Sequence, residues 1–279
     1  MDLATKTELM KTACKVRMGV IEAVFSAKSG HPGGSLSISD LLTYLYFKEM
    51  KVDPKNPKWP ERDRLVLSKG HTAPALYSTL AQKGYFPVEE LKGLRQIGRM
   101  LQGHPDMKTI PGIDMSSGSL GQGISVACGM ALSGKISNAP YRVFTILGDG
   151  EIQEGQVWEA AMFAGFRKLD NLVAIVDNNG LQIDGKIDDV NSPYPIDEKF
   201  KAFNWHVINV DDAHDFDKIE AAFEEAKTVK GKPVVIIQKS VKGKGVSFME
   251  NNAAWHGSAP NAEQYEQAMS ELNAAYAAL

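Results

Sequence analysis

"RVFTILGDGEIQEGQ", Arg142 to Gln156, decides how this chain folds. A β-branched, apolar run stops on a carboxylate held between two glycines, and a helix-like segment follows. "LVAIVDNNG", Leu172 to Gly180, repeats the pattern and ends on Asp177, Asn178 and Asn179. Apolar runs this short, bounded by turn residues, are strands buried on both faces. Working outward, "RLVLS", "WHVINV" and "PVVIIQK" are three more such runs. Helical patterns separate them: "APALYSTLAQKG", "GQGISVACGMALSGK", "GQVWEAAMFAGFRKL" and "DFDKIEAAFEEAKTV". This alternation predicts an α/β protein, a parallel sheet of about five strands with helices on both faces.

The N-terminal third is mostly helical in pattern. "TELMKTACKVRMGVIEAVFSAKSG" stops at Gly30, and "SISDLLTYLYFKEM" starts at a cap, Ser37 or Ser39, and ends before the loop "DPKNPKWP". The final "AEQYEQAMSELNAAYAAL" is an Ala-rich helix suited to a surface or a partner. Without repeat or long linker, the 279 residues predict a single domain over positions 1–279. With 43% apolar and 23% charged residues the composition is that of a water-soluble globular protein, and a net charge of -3 gives no reason to expect nucleic acid or an anionic membrane as partner. Cys14 and Cys128 match no metal spacing, and so few cysteines suit a reducing compartment. The polar N-terminus lacks a signal-peptide core, and no stretch approaches the roughly 20 apolar residues of a membrane helix. A cytoplasmic location is the expectation.

Ligands of parallel sheets collect beyond the C-terminal ends of the strands. Asp149 lies at one such end and Asn179 at the next, and adjacent strands are about 4.8 Å apart, so both side chains could reach one ion. With a backbone carbonyl near Leu181 they form a sparse oxygen set, suited to Mg²⁺ or Ca²⁺ if phosphate oxygens and water complete the shell. Gly148 and Gly150 are expected to permit a sharp turn and close approach of a phosphate. A lone Gly-Asp-Gly is usually only a turn; the second acid–amide strand end is what argues for a site. No P-loop and no dinucleotide fingerprint is present, and "GSLGQG", Gly118 to Gly123, fits neither spacing. It does open a helix whose amides could hold an anion.

Four of the six histidines, His31, His71, His104 and His256, adjoin glycine, which suggests exposed turns. A histidine in a glycine turn is more often structural, but neutral imidazoles can accept and return a proton near pH 7. His206 and His214 are assigned structural or surface places. In "VKGKGVSF", Lys242 and Lys244 could attract phosphates on a loop that closes over the site, or the loop could be solvated and flexible.

"GDGEIQEGQVWEAAMFAG…LVAIVDNN" resembles the thiamine diphosphate motif, and the rest of the chain resembles the N-terminal domain of transketolase. "SGHPGGSLSISDLL", "DRLVLSKGHTAPALY", "GHPD", "SSGSLGQGIS" and "KGKGVSFMENNAAWHG" stand in the family's order over nearly the whole length. The resemblance implies thiamine diphosphate with Mg²⁺ (or Ca²⁺ or Mn²⁺), held through Asp149, Asn179 and the Leu181 carbonyl. It implies cofactor contacts at His71, Gly118, Ser119, Leu120, Gly148, Gly150, Glu154 and His256. It gives His104 the donor's terminal hydroxyl region and His31 with His256 the substrate's hydroxyl protons. Glu154 and Glu159 match acids near the family's subunit interface. Ser119 stands where proline is usual, and Gly34-Ser35 replace another common pair.

The family continues past this length into a second domain and a third. The second supplies the acid and apolar bed for the aminopyrimidine and most basic groups for the sugar phosphate. The expectation is therefore the N-terminal subunit of a two-subunit transketolase, a heterotetramer with a C-terminal subunit, transferring a two-carbon ketol unit between sugar phosphates. Pentose phosphate metabolism and sugar supply for aromatic biosynthesis are the candidate pathways. Met1 and the Ala-rich last helix favour a complete chain over a truncated piece. The α subunit of a thiamine-dependent 2-oxo acid dehydrogenase or decarboxylase and a non-catalytic cofactor-binding module are the competing readings.

Overall fold

The computed structural model describes all 279 residues. Its strands are β1 (Arg64–Leu67), β2 (Val143–Gly148), β3 (Leu172–Asn178), β4 (Leu181–Gln182), β5 (Gly185–Lys186), β6 (His206–Val210) and β7 (Val234–Lys239). Five of them form one parallel sheet in the order β1-β2-β3-β7-β6, while β4 and β5 make a small antiparallel ribbon that no sequence pattern announced. Val143–Leu147 and Leu172–Asp177 are buried without a break, which is why these strands are written as continuous apolar runs. Along β3 the side chains alternate: Val173 and Ile175 enter one core, Leu172, Ala174 and Val176 the other.

The first core is closed by α1 (Leu3–Ala27), α2 (Pro32–Ser37), α3 (Ser39–Tyr44), α4 (Ala73–Lys83), and, from the C-terminal half, Phe216–Thr228 and Ala262–Ala277. The second is closed by α5 (Gln122–Ile136), α6 (Gly155–Phe166) and Ile196–Ala202. A one-turn helix, α7 (Ile187–Val190), follows β5, so the three remaining helices are α8 (Ile196–Ala202), α9 (Phe216–Thr228) and α10 (Ala262–Ala277). Helices thus cover both faces of a five-stranded parallel sheet, as expected. No helix is long and apolar enough to cross a membrane.

The N-terminal region departs from expectation in detail. Asp2 caps α1 by accepting the Thr5 amide, and the helix ends on Lys28 in the left-handed region, two residues before Gly30. "PGGSLS" forms α2 although its composition suggests a turn, and every residue of it is buried. Neither Ser37 nor Ser39 caps the next helix: Ile38 holds the cap position without a side-chain bond. The Ser37 hydroxyl is instead committed to the Asp177 carboxylate at 2.8 Å, and Ser39 to the Ser35 carbonyl at 3.1 Å. A π turn over Leu45–Glu49 completes the segment.

Candidate functional site at the strand tips

Four strands deliver polar residues to one edge of the sheet. Gly148 pairs with Asp177 and Asn178 with Lys239, so Asp149, Asn179 and Ser240 emerge together just past the tips of β2, β3 and β7. Lys69 arrives from the end of β1, where its amide still meets the Ile146 carbonyl. Asp149, Asn179 and Leu181 line one cleft of about 260 Å³ with Lys69, His71, Leu120, Gly148, Gly150, Glu154, Lys242 and His256.

Asp149 is 2% exposed; its two oxygens accept the Gly150 amide at 2.9 Å and the Gly180 amide at 2.6 Å. Burial, and then the neighbouring Asp177 charge, push its carboxyl up to about 6. The Asn179 side-chain oxygen accepts the Leu181 amide at 3.1 Å, and the Leu181 carbonyl faces the Lys242 ammonium at 3.3 Å. A carboxylate, an amide oxygen and a carbonyl on one wall are the donor chemistry of a hard divalent cation, whose charge would offset the crowding of two carboxylates. The residues fit such an ion.

The glycines act differently than the sequence suggested. Gly150 has ordinary right-handed backbone angles, and neither it nor Gly148 has a positive φ. What Gly150 supplies is room, because a Cβ there would stand 3.2 Å from the Gln182 Cβ. Gly118 does need its freedom: φ is 150°, and a Cβ would press on the His104 ring at 3.0 Å. Ser119 and Leu120 are exposed beyond it, Leu120 in the cleft wall. The start of α5 is not left open for an anion at Gly121, whose amide donates to the buried Glu151 carboxylate at 2.9 Å. Glu151 also takes the Gly148 amide at 3.0 Å and the Ser68 hydroxyl, tying α5 to the tips of β1 and β2. Glu154 borders the cleft, and Glu159 is exposed on α6.

Three of the glycine-flanked histidines meet in a half-buried cluster rather than on exposed turns. Ring centroids of His31 and His71, of His31 and His256, and of His71 and His256 lie 5.1, 5.5 and 5.1 Å apart. Burial, followed by Arg95, His104 and Lys242, pushes His31 down to about 4. Burial and then Lys242 push His256 down to about 3, and burial with Lys69 holds His71 well below its ordinary value. All three are neutral at pH 7. Lys242 lies 3.1 Å from His256 Nδ1, and an ammonium can only donate, so the His256 hydrogen sits on Nε2. His31 Nδ1 is buried with no partner, an acceptor or donor held in reserve. His104 is exposed, set apart from the three-ring cluster and packed on Gly118; burial and Arg95 lower it as well.

Lys69 and Asp177 were given no role from the sequence, yet Lys69 lines the cleft and Asp177 lies buried directly against it. Asp177 is 0% exposed and Lys69 2%, and they pair directly. Asp177 further receives the Ser37 and Ser240 hydroxyls and the Asn179 amide. Burial alone would raise the Asp177 carboxyl, but Lys69 and the Ser240 and Ser37 hydroxyls bring it below its ordinary value. Lys242 reaches into the cleft with 2% exposure, and burial followed by Lys69 lowers it to about 8. Lys244 turns away to Glu250 at 3.5 Å, so only one of the two lysines addresses the site. Their loop is packed, with Val246 and Met249 buried, and is not a solvated flexible strand end. His206 bonds Glu225 at the surface, as assigned, while His214 bonds the buried Asp40.

This parallel sheet with its strand-tip cleft defines a thiamine diphosphate-binding domain. Residues 9–276 match the family model described as "Transketolase, thiamine diphosphate binding domain", and the chain belongs to that family. It is 50% identical over 265 residues to a 6-deoxy-6-sulfo-D-fructose transketolase subunit of Clostridium sp. (strain MSTE9), covering 95% of this chain and 96% of that one. It is 44% identical over 259 residues to an apulose-4-phosphate transketolase subunit of Phocaeicola vulgatus, covering 93% and 92%. Mouse transketolase is 43% identical over 268 residues, but this chain spans only 42% of its length. Among solved structures, transketolase from Campylobacter jejuni superposes with a TM-score of 0.90 at 33% identity, covering 98% of this chain and 43% of that one.

Proposed function

We propose that this chain is the diphosphate-holding, N-terminal subunit of a two-subunit transketolase, a single domain working in the cytoplasm as a heterotetramer with a C-terminal subunit. The observation that carries the reading is the convergence of Asp149, Asn179, the Leu181 carbonyl, His71 and Lys242 in one cleft at the strand tips. The subunit names of two relatives matched over nearly their full length support the division of labour. The family match favours ketol transfer over 2-oxo acid oxidation.

In this reading Asp149, Asn179 and the Leu181 carbonyl hold Mg²⁺, or Ca²⁺ or Mn²⁺, against the diphosphate. His71 and Lys242 would face the same diphosphate, Lys242 as a cation already desolvated for an anion. Gly118, Ser119 and Leu120 form the edge toward the aminopyrimidine. Thiamine diphosphate, when bound, supplies the electron sink for making and breaking the C–C bond. The chain's own part is proton handling: neutral His31 and His256 can each receive a hydroxyl proton and return it. His104, beside Gly118, would hold the terminal hydroxyl of the ketose donor. The substrates are anionic sugars, sugar phosphates among them, and the exposed Leu120 and Ile183 on the rim await the apolar bed of the partner.

Titration calorimetry of the chain with thiamine diphosphate and Mg²⁺ tests the reading. Binding is expected to require the metal and to disappear in Asp149→Asn with the fold intact. Metal-independent binding, or unchanged affinity in that variant, would refute it. Co-purification identifies the second chain, and ketol transfer is expected only when both are present.

A further inference from the structure

A buried cluster outside the cleft joins four separate segments and belongs to none of the chemistry above. Arg17 of α1 and Asp40 of α3 are 6% and 4% exposed and pair through both terminal guanidinium nitrogens, the Arg17 Nη1 bond being 3.0 Å. His214, from the loop after β6, donates Nδ1–H to Asp40 Oδ2 at 2.7 Å. The tautomer follows from the other ring nitrogen, because Nε2 accepts the Val241 amide at 2.9 Å. Arg17 Nε donates to the Lys244 carbonyl at 3.1 Å. Burial would raise Asp40, yet Arg17 and His214 hold its carboxyl at about 2, so the anchor remains an anion.

Both outward bonds of this cluster end on one short segment, Val241 and Lys244, and Lys242 lies between them. We propose that His214 is a positioning residue: braced by Asp40 and Arg17, it fixes the Val241–Lys244 segment so that the Lys242 ammonium stands in the cleft. The physical reason is cost. A lysine ammonium at 2% exposure gains by swinging out to water, so its backbone must be held against that tendency. The Gly243 amide on the Gly33 carbonyl at 2.9 Å and the Asn251 amide on the Lys242 carbonyl at 2.8 Å hold the segment's other side. His214 and Arg17 secure the two ends, and only His214 reaches the residue immediately before Lys242. The value of this arrangement to the proposed function rests on Lys242 facing the diphosphate, but the positioning itself does not.

The test is amine-selective labelling of the full chain at pH 8, read by mass spectrometry, in wild type and His214→Ala. Lys69, equally buried but held by Asp177, reports on general unfolding. The expected result is that Lys242 labelling accelerates by about tenfold or more while Lys69 stays protected, as local opening without global opening predicts. Unchanged Lys242 labelling overturns the proposal, and so does a parallel rise at Lys69, which would mark His214 as a general stabiliser. If His214→Ala does not fold, Asp40→Asn, which removes the brace, is measured in its place with the same criteria. Lys242→Met in the calorimetric assay separates the two readings: unchanged cofactor affinity there refutes the role of Lys242 and leaves the labelling result standing.

Discussion

Lys69→Met is the sharpest single test of how the cleft is built. The substitution keeps the stem and removes the ammonium, leaving Asp177 fully buried with the Ser37, Ser240 and Asn179 donors but no counter-charge. Breaking a buried pair from one side costs about 3–5 kcal/mol, and the three surviving hydrogen bonds favour the lower end. At roughly 3 °C per kcal/mol for a chain of this size, the midpoint should fall by about 9 °C. Chemical and thermal unfolding followed by circular dichroism read this directly. The double variant Lys69→Met, Asp177→Asn removes both charges and should recover to within about 1 kcal/mol of wild type, since an ion pair exchanged for neutral groups is often nearly neutral in stability. A loss below about 1 kcal/mol in the single variant, or a double variant no more stable than the single one, would show that the pair is not the desolvated contact described.

Gly243→Ala should cost about 2–3 kcal/mol, because φ there is +81° and a Cβ would meet the Met249 carbonyl oxygen at 2.2 Å; urea unfolding measures it. Stability should decline as pH falls below the ordinary histidine value of 6.5, since the unfolded chain takes up protons that His31, lowered to about 4, and His256, lowered to about 3, refuse when folded. Each fully excluded histidine contributes at most about 1.4 kcal/mol per pH unit, less for these half-exposed rings, and replacing all three clustered histidines by glutamine should flatten the profile. His104→Ala should leave unfolding unchanged within about 0.5 kcal/mol, as an exposed side chain, while ketol transfer by the assembled enzyme falls by about 100-fold. Equal activity of that variant would remove His104 from the proposed site.

The five strands were legible because strands buried on both faces leave an uninterrupted apolar run, and Asp149 and Asn179 because they interrupt it at the tips. Lys69 was not legible: "SKGH" looks like a solvated turn, and its burial is decided by Asp177, 108 residues away. Glu151 likewise reads as a surface acid until Gly121, 30 residues before it, is folded against it. The α2 helix defied its Pro-Gly-Gly start because tight packing, with Gly33 facing Trp255 and Gly34 facing Thr72, outweighs intrinsic propensity. Histidine positions along the chain gave no sign that His31, His71 and His256 meet, because that contact depends on where three distant segments converge. Local pattern carried the sheet; charge burial needed the tertiary structure.

Asp149 and Asn179 stand directly past the ends of β2 and β3, two strands flanked by further strands on either side. Such mid-sheet strands exchange their amides only when the whole molecule opens. Under the proposed function, the strands that carry this grip do not fray before the whole sheet opens. Its residence time is governed from the other direction, by how tightly the exposed rim at Leu120 and Ile183 is roofed over, so cofactor retention becomes a measure of subunit association rather than of this chain's own stability.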